Sequence, residues 1–271
     1  MTVAHTEIYS RATDIVLESC DGVKFYAHKS ILAEASPFFE HMFTLPQPPG
    51  EKDRPVIPLS EHSATLGALL QFIHPEPDPE IETLDQLSSL LASAIKYDFV
   101  GAIATLRKEL VSPKFLAESP LRVYASASRF ELDDEAKIAS KHTLSCQILD
   151  CPLSEDLKFI SAYAYHRLLV LHRTRAEAAQ RLLEISDNVK CIQCSSLYYG
   201  NFVPPKWWKV FQRCAKEELA IRPTTEVIFS LPFLAQVARE SGCVRCSGSI
   251  LDNHDFFANL KRRIDELPST V

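Results

Sequence analysis

The sequence predicts an α+β chain: a small, mainly antiparallel sheet packed with helices at the amino-terminal end, then a mostly α-helical carboxy-terminal region. Three observations carry this. Between Asp14 and Ala27, apolar residues recur with the period of two expected of half-buried strands, on either side of Asp21-Gly22. From His28 the period changes to that of an amphipathic helix. Beyond Pro113 the apolar pattern is helical throughout. An apolar content of 46% in 271 residues is ordinary for a globular chain with a sizeable core and excludes global disorder.

The elements follow in order. Residues 1–11 read as a flexible leader. Two strands flank Asp21-Gly22, a hairpin signal because both residues tolerate positive φ. Ile31, Leu32, Ala35, Phe38, Phe39, Met42 and Phe43 then make the apolar face of one helix. The Pro- and Gly-rich stretch 45–55 is a surface loop. Val56, Ile57 and Leu59 make a short strand, which Pro55 and Pro58 confine to an edge. Ser60 is expected to cap a helix running to about Ile73, Thr83 or Asp85 to open the next, and Asp98 to cap a third. Pro120 and Asp133 or Asp134 begin two more. Ser154 is expected to cap an unbroken helical stretch from Glu155 to Leu183. Pro204-Pro205 lead into a helix that Pro223 closes, Pro232 to Glu240 forms a short one ended by Ser241-Gly242, and a final amphipathic helix runs from Ile250 to Leu267.

Strand, Asp-Gly turn, strand and then HKSILAEASPFF resemble the opening of a BTB/POZ domain, whose pattern is an Asp, an apolar strand and His-Lys-x-x-Leu-Ala-x-x-Ser-x-x-Phe. The pattern falls here on Asp14, His28, Lys29, Leu32, Ala33, Ser36 and Phe39. The resemblance implies a BTB/POZ domain at residues 12–112. Residues 113–185 are similar to the helical extension that often follows such a domain. Residues 186–271 form a helical carboxy-terminal region with two CxxC elements, and the paired cysteines around a helix with adjacent tryptophans resemble a fungal, mushroom-type branch of BTB proteins.

Charge and composition narrow the function. Residues 1–110 hold 8 Lys and Arg against 16 Asp and Glu, whereas residues 186–271 hold 11 against 9. Nucleic-acid binding is therefore not expected, since its footprint is a strongly basic patch. No apolar run is long enough to span a membrane, and MTVAHTEIYSRATD lacks a signal-peptide pattern, so the expected location is intracellular, cytoplasmic or nuclear. No phosphate-cradling or nucleophile-elbow motif occurs, and only 7 glycines are present. His142 and Cys146 share a helix face, but a nucleophile pair also needs an orienting group and an oxyanion site, so no catalytic residue is assigned.

The strongest chemical signal is Cys191/Cys194 with Cys243/Cys246. Zinc favours four thiolates in a tetrahedron, and a CxxC turn brings two sulfurs to one side of a metal. The 48 residues between the pairs exceed the gap of a compact zinc ribbon, so one structural zinc would clip the start of the last third of the chain to its end. His254 is a weaker candidate ligand. Neighbours on a helix cannot share one buried face, so of the adjacent Trp207 and Trp208 one is expected in the core and the other at a contact surface, the alternative being that both are partly buried structural aromatics.

The resulting expectation is a non-enzymatic protein–protein interaction module that forms a homodimer and recruits a partner protein. The BTB/POZ resemblance places the dimer interface on the first strand and helix, at Ile15, Leu17, Leu32, Phe38, Phe39, Met42 and Phe43. Two alternatives stand: a substrate adaptor for a cullin-type ubiquitin ligase, and a transcriptional regulator with a zinc-stabilised tail. The adaptor lacks support from any kelch repeat, MATH-like sandwich or zinc-finger array, and the apolar-x-Glu triplet at Leu116-Ala117-Glu118 lies at the wrong place for a cullin contact.

Overall fold

The computed structural model describes residues 13–45, 54–74, 77–184, 189–198 and 201–271. The expected leader at 1–11 and most of the 45–55 loop lie outside these residues. The chain divides into two compact units, residues 1–115 and 116–271.

In the first unit, β1 (Ile15–Glu18) is the central strand of three, in the order β2-β1-β3. It pairs antiparallel with β2 (Lys24–Ala27), Ile15 opposite Ala27 and Glu18 opposite Lys24. It pairs parallel with β3 (Val56–Pro58), Val16 opposite Val56. The sheet is thus mixed, because helices stand between β2 and β3 and supply the crossover that a parallel pairing requires. Ile15, Val16 and Leu17 are all buried, so β1 is covered on both faces rather than half-buried, whereas the flanking β2 and β3 alternate. Between β1 and β2, Gly22 alone takes a positive φ, of 80°, while the Ser19 amide donates to Val23 O at 3.0 Å.

The first expected helix is two. Helix α1 (Lys29–Ala35) stops at Ser36, and α2 (Pro37–Thr44) begins anew. Proline 37 disfavours helical backbone at the residue before it, and Ser36 sits extended at φ −146°. Its hydroxyl accepts from the Phe39 amide at 3.2 Å and donates to Tyr97 O at 2.5 Å. Helix α3 (Ser63–Gln71) starts later than expected, with His62 at its N-cap; the Ser60 hydroxyl instead meets Lys96 Nζ at 2.5 Å. Thr83 caps α4 (Leu84–Lys96) by accepting from the Gln86 amide. Asp98 does not cap α5 (Val100–Leu110): it takes a positive φ of 50°, and Phe99 is the N-cap. The core of this unit gathers Leu17, Leu32, Leu66, Leu69, Leu87, Leu91 and Leu106 around Phe39, whose ring meets those of Tyr97 and Phe99 at 5.8 and 5.7 Å.

A short α6 (Pro113–Glu118) leads into α7 (Pro120–Arg129) and α8 (Asp133–Thr143), which pack as a pair. The stretch after Ser154 is broken. Ser154 caps a single 3-10 turn at Glu155–Lys158, and the long α9 (Ala162–Leu182) has its own cap in Ser161, which accepts from the Ala164 amide at 3.0 Å. A two-stranded hairpin, β4 (Ser196–Tyr198) with β5 (Asn201–Val203), interrupts what the sequence led us to expect as wholly helical chain. Then follow α10 (Lys206–Ile221), α11 (Leu231–Glu240), α12 (Cys246–Asp252) and α13 (His254–Asp265), the last two replacing the single final helix.

Helix α10 is the axis of the second core. Trp207 and Trp208 are both fully buried, so neither lies at a surface and both are structural aromatics, more deeply placed than expected. Adjacent side chains point to different sides of a helix, but α10 is covered on more than one side, by α9, α11 and α12. Trp207 meets Phe257 at 5.4 Å, and Trp208 meets Phe211 at 5.4 Å and Phe256 at 5.2 Å. The buried Arg175 of α9 closes the far end by donating to the carbonyls of Pro223, Ile264, Leu267 and Pro268.

Candidate metal centre

The two CxxC elements, far apart in sequence, meet in the second unit. Cys191–Cys194 form a turn ahead of the β4–β5 hairpin, closed by the Ser195 amide donating to Cys191 O at 3.1 Å and the Cys191 amide donating to Ser195 Oγ at 2.7 Å. Cys243–Cys246 form a second turn, in which the Cys246 amide donates to Cys243 O at 3.1 Å. This turn follows directly on the end of α11, where Gly242 takes a positive φ of 61° and reverses the chain. Cys246 is the first residue of α12.

The four sulfurs lie within 4.8 Å of one another. Cys194 Sγ is 3.6 Å from Cys246 Sγ, and Cys246 Sγ is 4.0 Å from Cys191 Sγ. All are free thiols, and these spacings far exceed a disulfide bond. They match another geometry: a tetrahedron of Zn–S bonds of about 2.3 Å has S···S edges of about 3.8 Å. Cys191 and Cys246 are buried in the aromatic core, and Cys194 and Cys243 pack against it half-buried.

Two effects compete at the sulfurs: backbone amides favour negative charge on them, while burial opposes it and raises the Cys194 and Cys246 thiols. Helix α10 begins beside the cluster, and its first amides have no partner within the helix. The Lys206 amide donates to Cys194 Sγ at 3.3 Å, and the Trp207 amide serves Cys246 Sγ. A helix N-terminus adds a partial positive charge at the same place. At Cys191, burial pushes the thiol up, but hydrogen bonds from Ser249 and from the Gln193 and Cys194 amides outweigh it and bring the thiol down to about 6. Burial, and then the neighbouring thiols, push Cys194 up to about 12. The cluster thus readily gives up one proton and holds the next tightly, as expected of thiols crowded together without a cation between them. A divalent soft-to-borderline metal bound there would replace those protons and relieve that cost. Four thiolates close the coordination shell, which suits a structural rather than a catalytic ion.

Other residues singled out in the sequence fall elsewhere. His254 is exposed beside Asp255 and is not among the clustered ligands. His142 is exposed, and burial pushes the Cys146 thiol up, away from nucleophilic reactivity. Of the BTB-type motif, Asp14 accepts from the Lys29 amide at 2.8 Å and so caps α1, Ser36 caps α2, and Leu32 and Phe39 are core. His28 is the N-cap residue of α1, although its side chain makes no cap bond. Of the seven residues expected at a dimer interface, Ile15, Leu17, Leu32 and Phe39 are at most 1% exposed. These four are thus buried within the chain itself, Phe39 against Tyr97 and Phe99. Phe38, at 41%, is exposed, and Met42 and Phe43 are partly so.

The Lys206, Trp207 and Ser249 contacts to sulfur were not singled out in the sequence. One signal pointed to the first: Pro204-Pro205 set the start of α10, and hence the position of its first free amide.

Among the described residues, no helix is long and apolar enough to cross a membrane. No curated protein matches the chain. Residues 7–114 match the family model of the BTB/POZ domain, and that match covers the mixed sheet, the Ser36 break and helices α1 to α5 described above. The amino-terminal part of the chain is accordingly a BTB/POZ domain, a protein–protein interaction module.

Proposed function

We propose that this chain is a non-enzymatic protein-interaction protein, intracellular, which pairs with a second copy of itself through its BTB/POZ domain and recruits a partner protein. One structural zinc on Cys191, Cys194, Cys243 and Cys246 holds the carboxy-terminal unit together. The observation that carries the pairing is the outward face of α2. Phe38 is 41% exposed there, with its ring 5.5 Å from that of Tyr97, and Met42 and Phe43 continue the same apolar strip. Leu45, 61% exposed, extends it. A self-complementary two-fold contact is the usual way to cover such a strip. The interface is thereby narrower than the sequence alone suggested, resting on Phe38, Met42 and Phe43.

The test is native mass and metal content on one preparation. We expect a dimer with one tightly held zinc per chain. The double variant Phe38→Asp, Met42→Asp is expected to be a monomer with an unchanged circular dichroism spectrum. A parent chain that stays monomeric at micromolar concentration overturns the pairing, and a fully reduced chain without metal overturns the zinc assignment. The cullin-adaptor and transcriptional-regulator readings start from the same dimer and differ in what it recruits. Capture by a purified cullin amino-terminal domain, or salt-dependent DNA binding by the full chain, would select one of them.

A further inference from the structure

A second group of metal-ligating side chains converges in the first unit, with no element in common with the four-cysteine cluster. Cys20 and Asp21 occupy the turn between β1 and β2, and His62 stands at the N-cap of α3. Their sulfur, carboxylate oxygen and imidazole nitrogen lie within 4.8 Å of one another, and all three side chains are exposed. The two segments that bring them together are tied by backbone. The Cys20 amide donates to Glu61 O at 2.9 Å, and the Leu59 amide donates to Glu18 O at 2.7 Å. The Ser63 amide and hydroxyl both donate to the Asp21 carboxylate, at 2.8 and 2.6 Å, which fixes its direction. Among the described residues, the Cys20 thiol and the His62 ring have no hydrogen-bond partner.

We infer that Cys20, Asp21 and His62 form a second zinc site, open to solvent, that clips the β1–β2 turn to α3. The donor set decides the metal. One thiolate and one imidazole are poor partners for calcium or magnesium, which take oxygen, and good ones for zinc. Bond lengths of about 2.0 to 2.3 Å need ligand atoms about 3.3 to 3.8 Å apart, a contraction that exposed side chains make by rotation about χ1 and χ2. Each oxygen of Asp21 keeps a lone pair after accepting from Ser63, so the cap and the metal bond coexist. Three protein ligands leave a fourth position for water or for a donor from a partner. The site is therefore weaker than a closed four-thiolate one and exchanges its metal with solution. It adds to the function proposed above and does not depend on it.

The experiment is a titration of the full chain, as purified, with Zn²⁺ in a non-chelating buffer under reducing conditions, followed by calorimetry. The parent chain is expected to take up one further equivalent. The variant Cys20→Ser, His62→Asn is expected to lose that uptake at least tenfold in affinity while keeping any zinc it carried at the outset. Neither replaced side chain makes a hydrogen bond among the described residues, so its thermal unfolding without added metal should match the parent. Co²⁺ gives an independent reading, because one thiolate produces far weaker sulfur-to-metal absorption than four. Absence of uptake by the parent overturns the inference, and so does uptake of equal affinity by the variant. A spectrum with four-thiolate intensity for the added equivalent overturns it as well.

Discussion

Ser36 shows how much of a fold one hydroxyl can carry. It donates to Tyr97 O and accepts from the Phe39 amide, and it is fully buried. Its replacement by Ala leaves one buried acceptor and one helix-terminal donor without partners, at a cost of about 2 kcal/mol. We expect the denaturation midpoint of Ser36→Ala to fall accordingly with no change in the slope of the transition. His172 contributes through charge instead. Thr143 gives its hydroxyl proton to Ser140 O at 2.6 Å, so its oxygen accepts from His172 Nε2 at 3.1 Å, and the neutral ring carries its proton there. Burial lowers this imidazole from its ordinary 6.5 to about 4. Between those values the unfolded chain takes up a proton that the folded chain refuses. This contribution to stability is therefore complete above about pH 6.5 and is lost as the pH falls towards 4. The variant His172→Gln, which can still donate to Thr143, should show a flatter decline in denaturation midpoint between pH 7 and pH 5 than the parent. Of these two residues only Ser36 was marked in the sequence, by its place in a motif. The carbonyl that it reaches, 61 residues away, was not, and neither was the burial of His172, because both depend on packing between elements.

At the scale of elements, the sequence was most informative where a backbone rule acts locally and least where neighbours decide. Thr83, Pro120, Pro205 and Gly242 stand at element boundaries as their chemistry requires. The break at Ser36-Pro37 was legible too, since proline constrains the residue before it, yet the continuous apolar spacing on both sides masked it. The burial of Trp207 and Trp208 was underestimated because a helix with one wet face was assumed, whereas α10 is enclosed by its neighbours. The same helix supplies an unusually direct test of the metal centre. Lys206 is its first residue and Pro205 is already extended, at φ −62° and ψ 154°. Proline is well tolerated at the first position of a helix and after an extended residue. Lys206→Pro should therefore preserve α10 while deleting the one amide that points at Cys194 Sγ. We expect the helical content to be unchanged and the zinc affinity, measured by competition with a chelating dye, to fall about 10- to 100-fold, as for other supporting contacts to metal ligands. An unchanged affinity would mean that this hydrogen bond does not tune the thiolate.

At the scale of the whole molecule, the chain joins two units with separate cores and separate chemistry. The sequence made the first legible because strand, turn and helix signals follow one another within thirty residues. In the second it showed the four ligands by their spacing but not the short β4–β5 hairpin between them, whose strands of three residues each are too brief to show a period. The division has a consequence for metal removal. If zinc on the four cysteines supplies folding free energy to the second unit, its withdrawal should act where the ligands are rooted: in α10, whose first amides face the sulfurs, and in α12, which begins at Cys246. It should leave the BTB/POZ domain, whose core holds none of these cysteines, close to its starting stability. Hydrogen exchange on the full chain before and after a strong chelator measures this directly. We expect amides of α10 to α13 to lose protection by at least tenfold while those of β1 and α4 keep theirs, and we expect the native mass to be unchanged. Equal loss of protection in β1 and α4 would show instead that the two units unfold as one, and the amino-terminal domain could no longer be treated as an independent docking half.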